Sequence, residues 1–372
     1  MKRNLVALAV AGAFLAPVAA MADGSGIVLT GVVHGDVGFG YEKRDGGGGT
    51  AYKRQANIGT FATRWEIDGT EDLGWAQVIF GLAMDQQFAG NNRCVGGVDT
   101  DGRPLGCQTN NNNVDGTGVN NRNSFLGLSG GFGTVKIGQN EHLYEIQQIL
   151  QDPDPASENT FSTLSLMTSW GGEHAGFTRR DSQSIWYRSP DIGGATIEAA
   201  YITPAGGKTD NLSPYGMQIG ANWKSSFGLS LYGAFAQYND EGVKSKNKAL
   251  RLGVGYGMEL FQVDVFGETL KYTDDFGTND KRTNIGVSGS LNFGQNHIRL
   301  AISSAGKLKT SAGTVADSGA RLILIGYAYT LSKRTELQVN YGMVDNKQNA
   351  RFNVSENGND ASRFGVGIRH TF

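Results

Sequence analysis

Hydrophobic and polar residues alternate with a period of two along most of the chain. Near the N-terminus, Val37 and Phe39 fall on one parity and Asp36 falls on the other. The same alternation recurs in segments such as "FATRWEID", "WAQVIFGLAMDQQF", "FQVDVFGET" and "TELQVNYGM". Because successive side chains of a strand point to opposite faces, each segment predicts a β-strand with one apolar and one polar face. The pattern predicts sixteen strands, from near Ile27 to near Phe372.

The predicted connections alternate between short and long. Short ones include "GTEDLG", "GGFG" and "PDIGG"; long ones, rich in Gly, Asn, Asp and Lys, include "NDEGVKSKNK" and "TDDFGTNDKR". Short turns at one end and long loops at the other are typical of an outer-membrane barrel. The third long connection, about residues 140–180, shows no alternation, and its start "EHLYEIQQIL" is compatible with a short helix. Folded inward, it would narrow a wide lumen. The predicted fold class is an all-β, antiparallel, sixteen-stranded transmembrane barrel with an inward-folded third loop.

A soluble β-sandwich is the alternative to this barrel. The polar parity carries Asp, Glu, Arg, Lys or Gln in nearly every strand. Burying unpaired charges in a dry core costs several kcal/mol each, so this face suits a water-filled lumen better. Beyond the N-terminal segment, the sequence has no run of 18 apolar residues that would predict a membrane-spanning helix.

The N-terminal segment has the plan of a secretory signal peptide. Lys2 and Arg3 precede an apolar stretch that ends in small residues up to Ala22. Residues 1–22 are therefore predicted to be a signal peptide, and residues 23–372 the barrel. The chain has 33 Lys and Arg against 35 Asp and Glu, a formal net charge of −2, and removal of Lys2 and Arg3 takes it to −4. This balance argues against nucleic-acid binding.

The two cysteines lie in a polar loop. Twelve residues separate Cys94 from Cys107, in the segment "CVGGVDTDGRPLGC". In an oxidising compartment this predicts a disulfide that closes the loop, a constraint that contributes roughly 3 kcal/mol in the chain-entropy account. Two cysteines without a neighbouring histidine do not make a metal site, so neither metal nor cofactor is predicted.

Several segments resemble the general diffusion porins of Gram-negative bacteria. They span the chain in the order "TRWEIDGTEDLG", "RNSFLGLSGGFGTVKIGQ", "RRDSQSIWYRSPDIGG", "YTLSKRTELQVNYG" and "RFGVGIRHTF". The resemblance implies a trimeric barrel in the outer membrane, an inward third loop, and passive diffusion of ions and small hydrophilic solutes. It also implies contact with outer-membrane lipid and lipopolysaccharide, and recognition of the terminal Phe372 by the barrel-assembly machinery. Gln139 and Trp186 stand where members often carry arginine, which argues against strong anion selectivity.

A channel of this kind acts through a size limit and a transverse field, with acidic groups on the inward loop opposite basic groups on the wall. On the basic side, strand parity and loop-end position favour Arg64, Arg122, Lys136 and Arg180. On the acidic side, the candidates are Glu141, Glu145, Asp152, Asp154 and Glu158.

Two other functions are compatible with a barrel. A substrate-selective channel for a particular sugar or small organic acid could use Phe161, Trp170 and Trp186 as an aromatic track. Some outer-membrane barrels are enzymes, and here His34 and Asp36 share a predicted lumen face. No H-E-x-x-H or G-x-S-x-G motif accompanies them, so no enzymatic activity is predicted.

Overall fold

The fold is built almost entirely from β-strands. A computed structural model describes residues 25–44, 52–59, 63–86, 119–141, 144, 163, 166–177, 179–203, 211–241, 243–354 and 356–372. The strands in chain order are β1 (Gly26–Arg44), β2 (Tyr52–Gly59), β3 (Arg64–Asp72), β4 (Gln77–Gln86), β5 (Val119–Gly130), β6 (Gly133–Glu141), β7 (Arg180–Arg188), β8 (Ala195–Ile202), β9 (Tyr215–Lys224), β10 (Leu229–Asn239), β11 (Ser245–Gly257), β12 (Phe261–Asp274), β13 (Asn279–Phe293), β14 (Asn296–Ala305), β15 (Lys309–Thr310), β16 (Gly313–Thr314), β17 (Ala320–Ser332), β18 (Thr335–Asn346) and β19 (Asn359–Thr371).

The sheet closes on itself. Sequence neighbours pair antiparallel around the molecule, and β1 pairs with β19 from Val32↔Thr371 to Arg44↔Asn359. β2 and β3 lie end to end along β1 and act as one barrel strand, while β15 and β16 form a small hairpin between β14 and β17. The wall therefore closes on itself with sixteen strands, as a sheet in hydrocarbon requires. The prediction of a sixteen-stranded antiparallel barrel is confirmed.

The two faces differ as predicted in the barrel strands whose side chains the structure describes. On β11, Leu252 is 61% exposed on the outer face, whereas Arg251 beside it is fully buried on the lumen face. The final strand repeats the pattern, with Val366 and Ile368 exposed outward. Apolar side chains on the outer face and polar side chains on the inner face are typical of a barrel with lipid outside and water in its lumen. Within the described part of the chain, no helix is long and apolar enough to span a membrane.

The short connections lie at one end of the barrel and the long ones at the other. The predicted length of two long connections was wrong. "NDEGVKSKNK" and "TDDFGTNDKR" were expected to be long loops, but β11 begins at Ser245, β12 runs to Asp274 and β13 begins at Asn279. Their outer face carries lysines where hydrocarbon-facing strands carry aliphatic residues, so the apolar alternation that identifies strands is missing there. The predicted signal peptide (1–22), Cys94 and Cys107 lie outside the described residues.

Candidate functional site

The third long connection, residues 142–179, enters the barrel and is bound to a distant wall. It leaves β6 and returns into β7, yet Trp170 on it is fully buried and its Nε1 donates to Asn247 Oδ1 at 3.2 Å. Asn247 Nδ2 in turn donates to the carbonyl of Ala175 at 2.8 Å. Asn247 lies on the lumen face of β11, four strands beyond β7 in the barrel order. The connection therefore extends across part of the lumen.

A buried ion pair holds this connection in place. Arg251 and Glu268 face each other on β11 and β12, with Nη2 2.7 Å from Oε2, and neither side chain is exposed. Tyr144 donates its hydroxyl to Glu268 Oε2 at 2.8 Å, and the backbone N–H of Thr168 donates to Oε1. Asn284 Nδ2 also donates to Oε1, at 2.8 Å. A buried charge with this many donors is well compensated, and removing it would leave several of them unpaired.

The same group also fixes the protonation state of the tyrosine. Arg251 Nη1 donates to the carbonyl of Tyr144 at 2.9 Å, and its guanidinium lies 4.3 Å from the centre of the tyrosine ring. Burial, together with the adjacent Glu268 carboxylate, raises the pKa of the Tyr144 hydroxyl well above its ordinary value. The hydroxyl therefore remains a donor to Glu268 under physiological conditions.

Apolar contacts extend the anchoring to the opposite side of the barrel. Leu166 belongs to a buried cluster with Leu322 on β17, Val344 on β18 and Phe352 in the connection before β19. β17 and β18 are the eighth and ninth barrel strands after β7, half of the sixteen-stranded circumference. Gly171 has a φ of +71°, and a Cβ there would come within 3.0 Å of the Phe352 ring. The connection thus spans the full width of the lumen.

A histidine adds a polar anchor near the end of the barrel with the long connections. His174 lies with Nε2 2.8 Å from Asp280 Oδ2 on β13, and its ring stacks on Tyr272 at 3.7 Å between centroids. Trp170 contacts the same imidazole edge-on at 5.0 Å. Hydrogen bonds and ring contacts therefore bind the third connection along several adjacent strands.

The wall near the start and end of the connection is charged. Arg122 on β5 lies between two carboxylates, with Nη1 2.9 Å from Asp85 Oδ1 and Nη2 3.2 Å from Glu141 Oε1. Arg180 on β7 donates Nε to the same Glu141 oxygen at 2.8 Å and forms a second, shorter contact through Nη2. Glu141 thus joins the two arginines.

A third arginine lies on the same wall with its own acid. Arg64 Nε donates to Glu66 Oε1 at 2.8 Å, two residues along the lumen face of β3. We call the six residues Arg64, Arg122, Arg180, Glu66, Asp85 and Glu141 the charged wall. Within it, each guanidinium has at least one carboxylate partner, and the formal charges of the six residues balance.

The fourth predicted basic residue lies apart from these pairs. Lys136, on β6, places its Nζ 3.9 Å from the centre of the Phe125 ring and 5.0 Å from that of Trp186. Trp186 is itself buried, and its Nε1 donates to Glu198 Oε2 at 3.0 Å. Lys136 therefore stands over aromatic rings on the wall, where cation–π attraction holds it.

The structure brings together only some of the predicted constriction residues. Arg64, Arg122 and Arg180 lie on one wall, on β3, β5 and β7. Glu141 was expected opposite them on the loop, but it is the last residue of β6 and is bonded to two of them. The remaining predicted acids lie outside the described residues: Glu145, Asp152, Asp154 and Glu158.

Other residues of the site were missed by sequence reasoning, although the register of the strand pairs places two of them opposite an arginine. Asp85 is directly opposite Arg64 across the β3–β4 pair, and Glu268 is directly opposite Arg251 across β11–β12. Strand parity alone gives the face of a residue but not its cross-strand neighbour. Among the described residues, no cluster of His, Cys, Asp and Glu could hold a metal ion.

Comparison with known proteins gives one consistent result. The sequence model of the Gram-negative porin family matches residues 7–349. A major outer membrane protein P.IB from Neisseria lactamica is 27% identical over 390 residues, covering all of both chains.

Solved structures share the fold. An anion-selective porin from Comamonas acidovorans superposes with a TM-score of 0.70 at 22% identity, over 94% of this chain and 100% of that one. The trimer form of OmpT, an outer membrane protein of Vibrio cholerae, gives a TM-score of 0.66 at 13% identity, over 94% and 100%. The chain therefore belongs to the Gram-negative porin family, and it is an outer-membrane channel for passive diffusion.

Proposed function

We propose that the channel is a general diffusion pore for ions and small hydrophilic solutes, with its constriction between the third connection and the charged wall. The observation that carries the proposal is the placement of the connection, which is tied to β11, β12, β17 and β18 while its two ends join the charged wall. A charged surface on one side of a narrowed aqueous passage favours polar solutes over apolar ones.

The pairing within the charged wall supports weak ion selectivity. Each of the three guanidiniums has a nitrogen within 3.2 Å of a carboxylate oxygen. One structural neighbour is described as anion-selective, but Gln139 and Trp186 here leave two further wall positions without an arginine. We therefore propose that the channel has no strong preference for anions.

A substrate-selective channel is the second candidate, and the geometry favours it less. An aromatic track needs ring faces that are open to the lumen. Trp170 is fully buried and bonded to Asn247, and Trp186 is buried and bonded to Glu198. Phe161 lies outside the described residues. Two of the three rings are thus engaged in packing.

The assembly and processing of the chain are also proposed on the family pattern. A homotrimer is supported by the trimer form of the Vibrio cholerae neighbour. Cleavage after Ala22 is supported by the signal-like N-terminal sequence. Recognition of Phe372 by the barrel-assembly machinery is supported by the resemblance of the last strand to that of the porin family. We assign the channel no catalytic activity, since diffusion needs no bond chemistry.

Liposome swelling tests general diffusion against substrate selectivity. Proteoliposomes with the purified chain are transferred into isotonic solutions of sugars, amino acids and organic acids of increasing size. A swelling rate that falls smoothly with solute size, whatever the solute class, supports the proposal. One solute that enters much faster than others of its size would favour the substrate-selective channel instead.

A further inference from the structure

Four lysines stand in register on the outer face of the barrel. Lys248 on β11 is directly opposite Lys271 on β12, Lys271 is opposite Lys281 on β13, and Lys281 is opposite Lys309 on β15. We call these four residues the lysine row. Neighbouring strands are about 4.8 Å apart, so the row extends over roughly 15 Å.

The burial of their sequence neighbours shows that all four side chains point away from the lumen. Ala249, Leu270, Arg282 and Leu308 are each adjacent to one lysine and are buried inside the barrel. Because successive side chains of a strand alternate, the lysines lie on the opposite, outer face. Lys271, Lys281 and Lys309 are exposed, and Lys248 is half-buried.

The row lies just above the apolar surface, at the end of the barrel with the long connections. On β11, Leu250 and Leu252 follow Lys248 on the same face, and on β13, Ile285 and Val287 follow Lys281. Thr269 and Thr283, paired with each other, lie between the lysines and the aliphatic residues of β12 and β13. In outer-membrane barrels the long connections are extracellular, which places the row at the headgroup level of the outer leaflet.

Among the described residues, none of the four lysines forms an ion pair with an acid. Like charges directly opposite each other destabilise a sheet, so the arrangement is unfavourable for folding by itself. Asp280 is adjacent to Lys281 but points inward to His174, and Asp275 in the next turn is paired with Lys244 at 3.6 Å.

A nearby strand pair shows the ordinary arrangement. Arg321 on β17 is exposed and directly opposite Asp345 on β18, so opposite charges face each other there. The lysine row departs from this pattern at three successive pairings. An anionic partner from outside the chain would remove the repulsion.

We propose that the lysine row binds the phosphate groups of an anionic lipid of the outer leaflet. Phosphate offers several acceptor oxygens to ammonium donors, and a lipid places those phosphates at the level of the lysines while its acyl chains cover Leu250, Leu252 and Ile285. Threonine hydroxyls below the row can accept and donate hydrogen bonds to a polar headgroup. A soluble anion would satisfy the charges but would gain nothing from the apolar surface beneath.

The test compares Lys271→Gln/Lys281→Gln with a matched control, using the full-length protein in detergent. The control is Lys224→Gln/Lys333→Gln, two exposed lysines at the short-turn end, with the same change in charge. The probe is bisphosphorylated lipid A, and the measurement is its dissociation constant by native mass spectrometry. Each lysine near an anionic lipid contributes about 1 kcal/mol, so Lys271→Gln/Lys281→Gln should raise the dissociation constant for lipid A at least tenfold. The control substitutions should leave that dissociation constant unchanged.

Two further arms identify the source of the phosphate. Lipid A stripped of its phosphates should bind unmodified protein as weakly as intact lipid A binds the variant. Excess inorganic phosphate should not displace lipid A; displacement would show a site for soluble anions and overturn the lipid assignment. Equal affinity of variant and unmodified protein for lipid A, or no effect of removing the phosphates, would also overturn it.

Thermal unfolding separates lost binding from lost folding. In lipid-free detergent at low salt, Lys271→Gln/Lys281→Gln should be at least as stable as the unmodified protein because the repulsion is gone. Lipid A should then raise the Tm of the unmodified protein more than that of the variant. A variant with a lower Tm than the unmodified protein without lipid would contradict the proposal. So would a variant whose Tm rises as much with lipid A as that of the unmodified protein.

Discussion

Arg251 and Glu268 are directly opposite each other on the lumen face, and their ion pair, 2.7 Å between Nη2 and Oε2, is closed to solvent on both sides. Another part of the chain must shield this pair from the water of the lumen. The third connection does so, and its Tyr144 and Thr168 donate hydrogen bonds to Glu268. An ion pair that is fully buried on both sides thus positions the element that narrows the lumen.

Replacing Glu268 with alanine should destabilise the protein by about 3–5 kcal/mol, because Arg251 would remain buried without its partner. The measurement is thermal unfolding followed by circular dichroism in detergent. Glu336→Ala serves as the control, since its pair with Arg369 is longer, at 3.7 Å, and partly exposed, so about 0–1 kcal/mol is expected. Equal losses in the two variants would contradict the anchoring role of Glu268.

Replacing Glu141 with glutamine should shift ion selectivity toward anions. The change removes the carboxylate shared by Arg122 and Arg180 and leaves the charged wall with one excess positive charge. Reversal potentials in a potassium chloride gradient measure the shift, with Glu336→Gln as a control of equal charge away from the charged wall. An unchanged potential, or a shift toward cations, would exclude Glu141 from the constriction.

A charged residue placed on the outer face, in the middle of a strand, should destabilise the folded barrel in a membrane. Val265 on β12 is 49% exposed and directly opposite the exposed Val287, inside the apolar surface. Val265→Arg should cost about 2–4 kcal/mol in urea-dependent folding into lipid vesicles, as expected for arginine at the bilayer midplane. Val265→Leu controls for size, and a similar stability of the two variants would show that this face does not contact hydrocarbon.

The two cysteines should form a disulfide. Peptide mapping of the exported protein without reducing agent should recover Cys94 joined to Cys107, and reduction should separate the two peptides. Recovery of both residues as alkylated free thiols would refute this.

Period-two alternation was sufficient to predict the strand number and the inward and outward faces, since one wet and one lipid face impose that pattern along every strand. It failed at Lys246 and Lys248, where the outer face leaves the hydrocarbon and carries charge instead. Arg64, Arg122 and Arg180 could be assigned to the lumen by parity or loop-end position. Their partners could not be assigned, because the contacts of Glu141 and Glu268 depend on register and on the path of the third connection across the barrel.

Conductance through a planar lipid bilayer tests the central claim most directly, namely that the barrel is an open aqueous channel narrowed by the third connection. Purified protein should give discrete current steps that are linear in voltage and grow with salt concentration. Glu268→Ala, which removes the hydrogen bonds of Tyr144 and Thr168 to β12, should alter the step size or add current noise at a protein concentration where Glu336→Ala does not. No current steps at any protein concentration would contradict the claim.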